Sequence, residues 1–69
     1  MDNRREKAWI DLKKLRTDHG WRQTETAEKL GVSREYVSAI ENGRRGISMT
    51  VMDAIIRVFG VPYEDFFRA

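Results

Sequence analysis

Sixty-nine residues hold one domain and one modest hydrophobic core, and there is no cysteine to staple that core or to bind a metal as thiolate. A single histidine, with no glycine-rich phosphate loop and no metal-ligand spacing, argues against an enzyme, so neither a catalytic residue nor a metal nor a cofactor is expected. The net charge is only +2, so the thirteen Lys and Arg point to an acidic partner only if the fold gathers them on one face.

The first segment, residues 1–7, is charged. No apolar stretch follows that would make a signal peptide, and no run is long enough to span a bilayer, so a cytoplasmic protein away from membranes is expected. From Arg4 to Asp18, Ala8, Leu12 and Leu15 recur at helical spacing beside Trp9, and Gly20 follows as a left-handed terminator. A second helix is predicted over Gln23–Leu30, with Ala27 and Leu30 on one face and a stop at Gly31. Ser33 then caps a third helix that runs to Asn42, with Val37 and Ile40 three apart and Gly43 at its end. Ser48 caps a fourth, in which Met52, Ile55, Ile56 and Phe59 recur at three and four and Gly60 closes. Pro62 suits the first turn of a short fifth helix carrying Phe66 and Phe67. No stretch alternates with period two, so the expected fold is all-α, a compact bundle of five short helices in a single domain over residues 1–69.

Two short helices joined at Gly31-Val32 form the bihelical unit used to read DNA, here over about residues 23–42. A small residue, Ala27, suits the helix crossing, and Gly31 supplies the positive φ of the turn. With Val32, Val37 and Ile40 facing inward, the third helix presents Arg34, Glu35, Tyr36, Ser38 and Ala39 outward.

The run from Gln23 through Ala27, Gly31 and Ser33, followed by Val37-Ser38-Ala39-Ile40-Glu41-Asn42-Gly43, resembles the phage Cro and repressor helix-turn-helix proteins (the XRE family, with a lambda-repressor-like fold). The likeness extends over about Leu12 to Phe67. Arg34-Glu35-Tyr36-Val37-Ser38 and Arg44-Arg45 further resemble the controller proteins of restriction–modification systems. The resemblance implies a sequence-specific transcriptional regulator of double-stranded DNA, with the helix at 33–42 in the major groove. It implies base contacts from Arg34 (to guanine), Glu35 (to cytosine N4, or by excluding other bases), Tyr36, Ser38 and Ala39. Phosphate contacts are implied for Gln23, Arg44, Arg45 and Ser48, with Arg22 and Ser33 beside them at the helix starts. It also implies a structural ion pair between Arg16 and Glu41, tying the first helix to the third. Three positions depart from the expected patterns, and one of them, Gly46, stands where many controller proteins carry a side chain that can reach phosphate. Thr26 stands where a large aliphatic is usual, and Arg22 replaces the small hydroxyl residue that usually caps the second helix.

Met52, Ile55 and Phe59 suffice for the fourth helix's share of a core, which leaves Val51, Val58, Tyr63 and Phe67 facing elsewhere. Such a cluster in a small domain argues for a partner, and a twofold homodimer through residues 48–68 is expected, acting on a palindromic operator. RNA polymerase is a further possible partner. The alternative reading is an interaction module on the same fold, such as an antitoxin bound to its toxin.

Overall fold

The computed structural model describes residues 10–67, and among them the fold is helical. Four α-helices follow in order, α1 (Leu12–Asp18), α2 (Gln23–Leu30), α3 (Arg34–Glu41) and α4 (Met49–Phe59), and a 3-10 helix closes at Tyr63–Phe67. α2 lies against both α3 and α4, and α1 packs on α3. Among the described residues, no helix is long and apolar enough to cross a membrane.

The start of α1 differs from the sequence prediction. Ile10 and Asp11 lie outside the helix, and Asp11 is its N-cap, with Oδ1 accepting from the Lys14 N–H at 3.1 Å. The apolar spacing of Ala8, Leu12 and Leu15 runs through this position, but a carboxylate that satisfies an orphan amide starts a helix rather than continuing one. Trp9 and Ala8 lie outside the described residues.

α1, α2 and α3 end alike. After α2, the Gly31 N–H donates to Glu28 O at 3.3 Å and the Val32 N–H to Ala27 O at 3.0 Å, with Gly31 at φ 76°. After α3, the Gly43 and Arg44 N–H groups donate to Ile40 O and Ala39 O at 3.1 and 2.9 Å. These are Schellman closures, in which a left-handed residue turns the chain back and returns two amides to the last turn. The Gly31 closure sets the crossing of α2 and α3, where Ala27 is buried.

Leu12, Val37, Met52, Ile55 and Phe66 are the large, fully buried apolar side chains, with Leu30, Ile40, Ile47 and Val51 around them. Two expectations are corrected here. The last segment is a 3-10 helix rather than a fifth α-helix. A run of five residues gains few i→i+4 bonds against the cost of nucleation, and the tighter turn after Pro62 serves to bring Phe66 into the core. Val51 is buried in the core of the chain, where the sequence reading has it facing elsewhere. It stands four residues before Ile55, on the same face of α4, so the buried stripe is wider than the one drawn through Met52, Ile55 and Phe59.

Candidate nucleic-acid interface

α3 separates its residues into two faces. Val37 and Ile40 are buried, and Val32 packs on the same core from the turn. Arg34 and Glu35 are exposed, while Tyr36, Ser38 and Ala39 are half-buried along its length. Arg34, Glu35, Ser38 and Ala39 therefore remain outside the core, while Tyr36 packs partly against it. Near the end of α3, Asn42 donates through Nδ2 to Ser38 Oγ at 3.3 Å.

The helix starts supply the rest. Ser33 Oγ accepts from the Tyr36 N–H at 3.0 Å, and Ser48 Oγ accepts from the Val51 N–H at 3.2 Å. Both serines are exposed, and a hydroxyl that accepts still has its own proton to donate to a phosphate oxygen. At the start of α2 the Arg22 side chain is exposed, and its backbone N–H donates to Glu25 Oε1 at 2.8 Å. Glu25 thus supplies one half of a capping box where the usual hydroxyl is missing. Arg44 and Arg45 are exposed just past α3. The Arg45 guanidinium lies over the Tyr36 ring, 4.7 Å from its centroid, so one cation is held against α3 by its aromatic.

Arg16 and Glu41 form the expected ion pair. Arg16 Nε donates to Glu41 Oε2 at 2.7 Å and Nη2 to Oε1 at 3.1 Å, while Nη1 donates to the Trp21 carbonyl at 2.9 Å. Their side chains are only 13% and 4% exposed. Gln23 joins this pair, with Nε2 donating to Glu41 Oε1 at 3.1 Å. Its other end accepts from Arg34 Nη1 at 3.4 Å, and Arg34 Nη2 lies 3.7 Å from Glu35 Oε2. Gln23 and Arg34, expected as separate phosphate and base contacts, are thus in contact with each other. Spacing along the chain gave no sign of this link, because the partners lie 11 and 18 residues apart.

Later in the chain, Val58 is half-buried against the core and Tyr63 is 52% exposed. Met49, absent from the expected dimer surface although it opens α4, is 63% exposed. The Phe67 side chain lies outside the described residues. His19, Trp21 and Phe59 form an aromatic cluster, with His19 at 4.7 Å from Trp21 and 5.2 Å from Phe59. His19 Nδ1 is 2.9 Å from Leu15 O at the end of α1, which gives it a structural part.

The helix-turn-helix family profile matches residues 12–66. The chain belongs to the XRE-type helix-turn-helix family. Members of this family are DNA-binding transcriptional regulators. An uncharacterized HTH-type transcriptional regulator of Methanocaldococcus jannaschii is 43% identical over 56 residues, covering 81% of this chain and 85% of that protein. The antitoxin PezA of Streptococcus pneumoniae is 38% identical over 55 residues, covering 80% of this helix-turn-helix chain but only 35% of the antitoxin. The crystal structure of a hypothetical transcription factor from Neisseria superimposes with a TM-score of 0.72 at 29% identity, over 84% of this chain and 67% of that one.

Proposed function

We propose that this helix-turn-helix protein binds a palindromic DNA operator as a homodimer and controls transcription by occupying it. The carrying observation is the division of α3, with Val37 and Ile40 buried while Arg34 and Glu35 project at its exposed start. In this reading α3 enters the major groove. Arg34 takes guanine O6 and N7, Glu35 accepts from cytosine N4 or excludes other bases, and Tyr36, Ser38 and Ala39 line the approach. Arg22, Gln23, Ser33, Arg44, Arg45 and Ser48 grip the phosphates from the helix starts and the loop after α3. The dimer forms through Val58, Tyr63 and neighbouring apolar residues of 48–68, placing two copies of α3 about one DNA turn, ~34 Å, apart. Whether occupancy represses or activates then depends on where the operator lies relative to the promoter.

Selection of bound duplexes from a random pool tests this reading. The expected result is a symmetric consensus whose half-sites lie one turn apart, with Arg34→Ala losing preference at a single base pair of each half. Failure to enrich any consensus would overturn it. The likeness to the antitoxin favours a second reading, a DNA-binding antitoxin with a bound toxin. Stoichiometric copurification of a protein partner from the native host would support that reading over the first.

A further inference from the structure

We propose that Glu41 is a positioning residue for base recognition, acting through Gln23 on Arg34. The inference rests on the reading that Arg34 faces a base, and it gives the buried ion pair a role beyond tying α1 to α3. The ionised carboxylate of Glu41, held by two hydrogen bonds from Arg16, can only accept. It therefore requires the nitrogen end of the Gln23 amide, which donates to it at 3.1 Å. The guanidinium of Arg34 can only donate and requires the oxygen end, which it meets at 3.4 Å. Turning the amide over would set oxygen against oxygen at one end and N–H against N–H at the other. Both neighbours thus select one orientation, and Glu41, with its side chain 4% exposed, imposes it from within the fold.

Arg34 is in this way restrained before DNA arrives, between the Gln23 oxygen and the Glu35 carboxylate. A long, flexible side chain that is already placed loses less freedom when it docks on a base edge. Gln23 Nε2 carries a second proton, which remains available to a phosphate, so one amide joins backbone contact to base contact.

The test uses the selected consensus duplex and its single-base-pair variants. Gln23→Met keeps the length of the side chain and leaves the Arg16–Glu41 pair intact. It is expected to reduce discrimination at the base pair read by Arg34 by about 10-fold, leaving preferences elsewhere in place. Adding Arg34→Ala to Gln23→Met should cost little further discrimination, the non-additivity of two residues in one network. Glu41→Gln, measured well below its melting temperature, should show the same selective loss, because an amide at 41 accepts either orientation of Gln23. If Glu41→Gln does not fold, the Gln23→Met cycle decides alone. A Gln23→Met protein that binds all duplexes more weakly by one common factor, with base preference unchanged, overturns the proposal and leaves the DNA-reading function standing. Absence of a consensus for the unaltered protein overturns both.

Discussion

Thr26 is fully buried, and its hydroxyl has no hydrogen-bond partner among the described residues. A buried hydroxyl without a partner carries its desolvation cost uncompensated, and valine has the same shape without it. Thr26→Val should therefore stabilise the fold by about 1 kcal/mol and raise Tm by roughly 4–8 °C in thermal unfolding. An unchanged or lower Tm would mean that the hydroxyl is satisfied. Glu41→Ala has the opposite sign. It leaves the Arg16 guanidinium, 13% exposed, without its carboxylate, and should cost about 3–5 kcal/mol in urea denaturation. The Lys14–Asp18 pair, at 3.2 Å but 70% and 58% exposed, gives the contrast, and Lys14→Ala should leave the same curve almost unmoved.

At the scale of elements, short helices depend on their ends. α2 and α3 are eight residues each, too short to persist alone, so caps and the turn between them fix how they cross. A Cβ placed on Gly31 would meet nothing within 4 Å, yet φ is +76°. Gly31→Ala should accordingly cost about 1 kcal/mol from backbone strain alone, read by chemical denaturation, and Gly31→Asn should cost less. Ser33→Ala removes the acceptor of the Tyr36 N–H and should cost about 1 kcal/mol as well. Most of these ends were legible in the sequence. Gly31, Gly43, Gly60, Ser33 and Ser48 act where their types predict, because a left-handed φ and a side-chain cap are local requirements. The start of α1 was not, since the cap at Asp11 sits inside an unbroken apolar periodicity.

For the molecule as a whole, DNA affinity should depend steeply on salt. Arg22, Arg44 and Arg45 of two protomers, if all six reach phosphates, give a slope of log K against log salt of about −5. A slope near zero in fluorescence titrations would contradict a phosphate-gripping surface. Dimerisation belongs to this scale too. Tyr63→Arg places a charge in the proposed interface and should shift sedimentation toward monomer and weaken operator binding, because Tyr63 is half-exposed. A species that is already monomeric at micromolar concentration before any substitution would rule out a tight dimer.

Sequence alone determined the all-helical class, the boundaries of α2 and the inward face of α3, because periodicity, capping and turn chemistry act over a few neighbouring residues. It also carried the family, through the run from Gln23 to Gly43. Only the tertiary structure decided that Val51 belongs to the core, that Phe66 is delivered by a 3-10 turn, and that Gln23 stands between Glu41 and Arg34. Those outcomes depend on which helix faces meet, and contacts between residues far apart in the chain leave no mark on local pattern.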